Sequence, residues 1–275
     1  MTHAASSLWP FRKMHGLGND FVIFDARERG LPLTTDMVRR LSHRQTGIGC
    51  DQLIVMEPSS SADVFMRIYN ADGSEVSACG NATRCVASLM GNDRVEVQTK
   101  VGVLKASLSD GTATVDMGVP RYGWDEIPLS MPMDTLSMPV GWELLGTPSA
   151  VNVGNPHVIF FVENVDKVDL GRLGPLIERD PLFPERINVN IAQVNERNEI
   201  RLRVWERGAG LTLACGTGAC ATVAAAVRRR LTERRVTVRL PGGVLNIEIT
   251  DDNRILMGGP VATAFTGQVD LALYA

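Results

Sequence analysis

The stretch Leu213-Ala214-Cys215-Gly216-Thr217-Gly218-Ala219-Cys220-Ala221 decides how this chain is read, because an earlier stretch answers it: Ser77-Ala78-Cys79-Gly80-Asn81-Ala82-Thr83-Arg84-Cys85. In each, Ala-Cys-Gly opens a run of small residues that reads as the first turn of a helix. Cys215 follows Cys79 by 136 positions. The same offset separates GNDFVIF, from Gly18, and GNPHVIF, from Gly154, and it aligns Arg67-Ile68-Tyr69 with Arg203-Val204-Trp205. One ancestral unit is used twice, with a cysteine at the same place in each copy.

Outward from these stretches, the pattern predicts strands and turns with few helices. A glycine-rich turn at His15 to Asp20 feeds a buried strand, Phe21 to Phe24. Thr35 or Asp36 caps a helix through about Ser42. Strands are expected at Leu53–Met56 and Val64–Tyr69, a helix from about Gly80 to Met90, and β-rich segments near Val95–Leu108 and Thr112–Met117. Gly243-Val244-Leu245 and Met257-Gly258-Gly259-Pro260 repeat Gly102-Val103-Leu104 and Met117-Gly118-Val119-Pro120 at slightly larger offsets. The extra residues fall at the second helix or its exit. The stretch Arg121 to Ala150, with Pro128, Pro132, Pro139 and Pro148, has little periodicity, and the domain junction is placed at its start. The expected domains are 1–120 and 121–264, with a C-terminal strand, 265–275, crossing back to the first. Each is a sheet wrapped around one helix, so the fold class is α+β in duplicate.

Bulk properties narrow the function. The 275 residues carry 44% hydrophobic and 21% charged side chains and a net charge of −3, which suits a globular pair of domains and points to no nucleic acid and no membrane. The basic run Arg228-Arg229-Arg230 with Arg234-Arg235 closes a predicted helix and complements its dipole. The first 14 residues lack a signal-like apolar run. With five cysteines this implies a reducing, cytoplasmic setting and reduced thiols. Cysteine spacings of six and five, with scattered histidines, do not read as a metal site.

Two matched thiols suggest a specific chemistry. If the copies face each other about a pseudo-two-fold axis, Cys79 and Cys215 flank one cleft. One thiolate can then take a proton from one face of a carbon while the other thiol protonates the opposite face, inverting the centre. A thiol pKa of about 8.5 is lowered at a helix N-terminus. The unpaired N–H groups there, at Gly80 and Asn81 and at Gly216 and Thr217, suit a substrate carboxylate and the charge that spreads onto it. Cys50, Cys85 and Cys220 are read as packing residues. His157 can deprotonate one thiol, although a lone histidine before an apolar strand is more often structural. Glu206 can serve the other thiol or bind an ammonium group, and Arg207 can pair with a second carboxylate.

At these residues the chain resembles the diaminopimelate epimerases. The resemblance runs from Lys13 to about Asp270 on KMHGLGNDF, NADGSEVSACGNATRC, VNVGNPHVIF, FPERINVN and ERGAGLTLACGTGACA. It implies an isomerase of lysine biosynthesis that converts LL- to meso-2,6-diaminopimelate with no cofactor, pyridoxal phosphate included. It implies Cys79 and Cys215 as the acid/base pair, His157 tuning Cys79, and Glu206 tuning Cys215. It also implies Asn19, Gln52, Asn70, Asn155, Asn188 and Arg207 as substrate contacts, with Gly80, Asn81, Gly216 and Thr217 at the carboxylate. The implied fold is two pseudo-symmetric domains, each an antiparallel sheet curled around a central helix, with the active site between them, often in a homodimer. Two departures stand out: Leu211 where glutamate is expected, and Cys50 before Asp51-Gln52. The alternatives are a proline or hydroxyproline racemase of the same fold, which would leave Arg207 without a carboxylate, and a non-enzymatic thiol redox module.

Overall fold

The computed structural model describes residues 8–109, 111–143 and 145–275. The first seven residues, part of the expected first domain and of the segment read for an export signal, lie outside it. The chain forms two compact units, one running to Val115 and resuming at Pro260–Ala275, the other Asp116–Gly259. The boundaries expected from the sequence were 120/121 and 264/265.

In chain order the elements are β1 (Leu8–Gly16), β2 (Asn19–Asp25), α1 (Thr35–Ser42), β3 (Gln52–Glu57), β4 (Val64–Asn70), β5 (Glu75–Val76), α2 (Gly80–Met90), β6 (Arg94–Thr99), β7 (Gly102–Ser109) and β8 (Thr112–Asp116). The second unit follows with β9 (Ser149–Asn152), β10 (Pro156–Phe161), α3 (Leu170–Glu178), β11 (Asn188–Glu196), β12 (Glu199–Glu206), β13 (Gly210–Leu211), α4 (Gly216–Arg228), β14 (Arg235–Leu240), β15 (Gly243–Ile249) and β16 (Ile255–Pro260). Last, β17 (Ala262–Asp270) pairs with β1, so the C-terminal strand completes the first unit's sheet.

The duplication seen in sequence holds in topology. β2 and β3 are parallel with Phe21 opposite Gln52, and β10 and β11 are parallel with His157 opposite Asn188. In both units the next strand pairs antiparallel, and a second parallel pair follows, β4 with β6 and β12 with β14. The strand pairing is therefore mixed, where antiparallel sheets were expected. The parallel pairs arise because a helix intervenes between their strands in sequence, as any parallel connection requires.

Burial explains the central helices. α2 is buried at every residue from Gly80 to Ala87, and α4 at most positions to Ala226. A helix apolar or small on all sides must be enclosed, and Gly, Ala, Cys and Val let the strands approach closely. A separate cluster in the first unit packs α1, through Met37, Val38 and Leu41, onto Val22, Phe24, Leu53 and Val55. Its counterpart packs α3, through Leu170, Leu173 and Ile177, onto Val158, Phe160, Val189 and Ile191. The irregular stretch after Arg121 contributes Ile127, Leu129, Met138 and Leu145 to that second core.

Three local expectations are corrected. The cap of α1 is Thr34, whose hydroxyl accepts from Met37 N, because Thr35 and Asp36 already have helical geometry. His15 and Gly16 extend an unforeseen strand, β1, and the turn itself is Leu17-Gly18 at φ 58° and 89°. Two consecutive left-handed residues make the hairpin type that matches strand twist, and this turn delivers Asn19 to the start of β2. α3 was not foreseen from its own residues, although α1 shifted by the repeat offset falls on it. Arg228 and Arg229 in the basic run lie over the rings of Tyr122 and Phe161, at 4.5 and 5.3 Å.

Candidate functional site

Each cysteine of the repeat is the N-cap of its helix. Cys79 has φ −149° and ψ 110°, and Cys215 has φ −123° and ψ 104°. An extended N-cap places the side chain beside the first turn, next to N–H groups that have no acceptor within the helix. On α2 these belong to Gly80 and Asn81; on α4 they belong to Gly216 and Thr217. The first-turn N–H groups expected from the sequence are thus present twice as backbone.

In the first unit, Cys79 Sγ lies 4.0 Å from Asn19 Oδ1, which also accepts from Asn81 Nδ2 at 3.2 Å. Asn81 Oδ1 accepts from Arg84 at 2.8 Å, and Asn19 Nδ2 donates to Asp51 at 3.1 Å. Arginine can only donate and a carboxylate only accept. The two ends therefore fix both amides with their oxygens toward Arg84 and away from Asp51. Both polar atoms of the Asn81 side chain thus have partners within the unit. Asp51 is braced by Arg44 at 2.6 Å, and Arg44 also binds Asp20, which holds Lys13. These cations hold the Asp20 carboxyl far below the usual range against the opposing effect of burial. Next door, on β3 and β4, Gln52 Nε2 donates to Asn70 Oδ1 at 3.2 Å, and Asn70 donates on to Ser74 at 3.1 Å. Gln52 Oε1 is buried without a hydrogen-bond partner.

In the second unit, Cys215 Sγ accepts from Gly218 N–H at 3.4 Å and lies 3.6 Å from Thr217 Oγ1. Burial pushes this thiol well above its ordinary pKa, the adjacent Glu206 carboxylate adds to the rise, and Thr217 and Gly218 offset part of it. The expectation that the helix N-terminus sets a low thiol pKa is corrected at Cys215: the side chain is only 3% exposed, and desolvation outweighs two weak hydrogen bonds. Glu206 itself accepts from Thr212 Oγ1 at 2.6 Å. Glu206 thus lies beside Cys215, as the resemblance implied.

His157 is fully buried. Its Nε2 meets Asn155 Oδ1 at 3.0 Å and its Nδ1 meets Asn190 Nδ2 at 3.1 Å. Burial takes its pKa down to about 3, so the ring is neutral at neutral pH. Asn188 accepts from the Arg207 backbone N–H at 2.9 Å and donates to Pro156 O at 2.8 Å, tying β11 to the turn after β12. The exposed Arg207 side chain donates to Glu185 O at 2.8 Å.

Sequence reasoning missed Asn190, Gly218, Asp51 and Arg84. Asn190 had a usable signal: it stands two residues after Asn188 in NVN, on the same strand face. Cys85 and Cys220 are wholly buried inside their helices, and Cys50 packs in the first core, as expected of packing residues. Leu211 is 52% exposed, so the departure there perturbs no core. Among the described residues no cluster of three histidines, cysteines or carboxylates could hold a metal, and no helix is long and apolar enough to cross a membrane.

Several solved proteins share this fold. A hydroxyproline epimerase from Agrobacterium vitis is similar with a TM-score of 0.67 at 15% identity, covering 96% of this chain and 92% of that one. A Bacillus anthracis phenazine biosynthesis protein of the PhzF family gives 0.67 at 15% identity, covering 95% and 99%. At that identity the likeness is one of fold. Sequence carries it further. The family model for diaminopimelate epimerase matches residues 11–123 and 149–263. Diaminopimelate epimerases of Erythrobacter litoralis and Zymomonas mobilis are 59% and 56% identical to this chain, each over 96% of it and 98% of the relative. The chain belongs to the diaminopimelate epimerase family.

Proposed function

We propose that this isomerase interconverts LL- and meso-2,6-diaminopimelate, with Cys79 and Cys215 as the proton-transfer pair. The observation that carries the reading is the same one in both units: a cysteine N-cap, a following glycine, and free first-turn N–H groups on an enclosed helix. The substrate α-carboxylate sits on those N–H groups. The negative charge that develops as the α-proton leaves is stabilised by the same preorganised donors. One sulfur receives that proton and the other sulfur donates one to the opposite face, so no net proton is consumed. The resting Cys215 carries its proton, as burial beside Glu206 dictates, and Glu206 is the nearest group to receive it. At Cys79 the neighbouring acceptor is Asn19 Oδ1, and His157 is the proposed tuning residue. Arg207, Asn70, Asn155 and Asn188 bind the amino and carboxyl groups at the end that is not inverted, and Asn19 and Gln52 also contact the substrate. A cytoplasmic setting and a homodimeric state belong to the same proposal.

The deciding experiment uses reduced, metal-free protein without pyridoxal phosphate in D₂O. LL-diaminopimelate should lose its α-proton and yield meso product by NMR. Cys79→Ala and Cys215→Ala should each abolish inversion while ligand binding stays measurable. Normal turnover in either variant removes that cysteine from the mechanism. Proton loss from proline, with diaminopimelate inert, would overturn the substrate assignment.

A further inference from the structure

We propose that Asn190 is a positioning residue that sets the tautomer of His157 and, through it, the atom that Asn155 offers to a ligand. Asn190 lies on β11, opposite Ile159 of β10, and is wholly buried. Its Nδ2 is 3.1 Å from His157 Nδ1, and its Oδ1 is buried with no hydrogen-bond partner. An unsatisfied buried acceptor is rare in a folded chain and asks for an explanation. Here it accompanies a donor aimed at one ring nitrogen. A neutral imidazole has one N–H and one lone pair. Donation from Asn190 places the lone pair on Nδ1 and therefore the proton on Nε2. That proton is donated to Asn155 Oδ1 at 3.0 Å. The half-buried Asn155 then keeps its two Nδ2 hydrogens for a ligand, which suits a carboxylate. The other tautomer would turn the Asn155 amide and present its oxygen, which suits an ammonium group.

Gly218 is what leaves room for this amide. A Cβ there would stand 3.1 Å from Asn190 Oδ1 and 3.2 Å from Cys215 Sγ, so the amide sits against the turn that holds the thiol. Both nitrogens of His157 are occupied within this unit. The histidine is accordingly an orienting group for Asn155. The carboxylate consequence rests on the proposed reaction; the tautomer does not.

The test is NMR on ligand-free, full-length protein with ¹⁵N-labelled histidine, the His157 signals being identified by their loss in His157→Gln. The wild type should show the Nε2–H tautomer and no protonation of this ring at neutral pH. Asn190→Asp keeps the shape but only accepts when ionised, so it should convert the ring to Nδ1–H or to the imidazolium. In the same variant kcat/KM for diaminopimelate should fall at least tenfold with circular dichroism unchanged. An Nδ1–H ring in the wild type overturns the proposal without any variant. So does an unchanged tautomer in folded Asn190→Asp. If wild-type protein shows the expected tautomer but leaves diaminopimelate inert, the reaction assignment falls and the positioning role stands.

Discussion

Three helix glycines in the second unit make a graded test of how tightly its site is packed. Glycine inside a helix costs about 1 kcal/mol relative to alanine, so Gly→Ala with free space should stabilise by that order. Forcing a methyl into a filled core costs about 1–3 kcal/mol. At Gly171 the added Cβ would meet nothing nearer than 3.6 Å, and propensity decides. At Gly218 three neighbours would stand at 3.1–3.2 Å: Asn190 Oδ1, Val204 Cγ2 and Cys215 Sγ. All three belong to buried residues, so none can move cheaply, and packing should win by about 1 kcal/mol or more. At Gly174 the Cβ would lie 2.5 Å from the Trp205 ring, which Glu178 pins through Nε1 at 2.8 Å, and the loss should exceed about 3 kcal/mol. Urea unfolding followed by tryptophan fluorescence reads mainly this unit, since three of the four tryptophans, Trp124, Trp142 and Trp205, lie in it. Gly171→Ala should raise the midpoint, Gly218→Ala lower it, and Gly174→Ala lower it most. Gly218→Ala should also cut kcat by more than tenfold by crowding Cys215. A stabilising Gly218→Ala would refute the close contact among Asn190, Val204 and Cys215.

Acid stability should report on His157. Its pKa falls from 6.5 in the unfolded chain to about 3 in the folded one. Between those values only the unfolded chain takes up the proton, so stability falls as pH drops through that window, by up to about 1.4 kcal/mol per pH unit. His157→Gln should remove that share of the slope in urea titrations from neutral to acid pH; an unchanged slope would mean the ring is solvated. Thiol reactivity should separate the two cysteines: peptide mapping after brief iodoacetamide treatment should find Cys79 modified well before the buried Cys215. Glu206→Gln should move the reactivity of Cys215 to lower pH, because a carboxylate that raises its pKa is gone, and a shift to higher pH would contradict the assigned geometry.

Much of this was legible in the sequence because the chain repeats itself. The offset of 136 locates Cys79 and Cys215, and it also relates Asn19 to Asn155 and Gln52 to Asn188. Each helix start is marked by glycine after cysteine, and α2 ends where foreseen, at Met90 before a left-handed Gly91. What stayed hidden depends on contacts distant in sequence. Nothing local distinguishes Asp51 as the acceptor for Asn19, or Arg84 as the donor to Asn81, since both look like ordinary charged residues. β1 was hidden because its alternating burial is interrupted at Lys13 and Met14, where the register with β17 shifts. The thiol pKa was misjudged because a helix terminus can be read from sequence whereas desolvation cannot.

Duplication repeats the backbone, but the side chains around the two sulfurs have diverged. Position 70 is asparagine and its equivalent, 206, is glutamate; position 21 is phenylalanine and its equivalent, 157, is histidine. Asn70 is a neutral link between Gln52 and Ser74. Glu206 is a charge placed beside a thiol that is already desolvated, and both influences keep Cys215 protonated. Cys79 is the more solvated sulfur, with an amide oxygen as its neighbour. Two identical environments would give two thiols with the same pKa and leave the proposed reaction without a defined resting protonation state. A symmetric scaffold with an asymmetric charge at position 206 removes that degeneracy. In the proposed reaction each sulfur acts as acid in one direction and base in the other, as a reversible inversion requires.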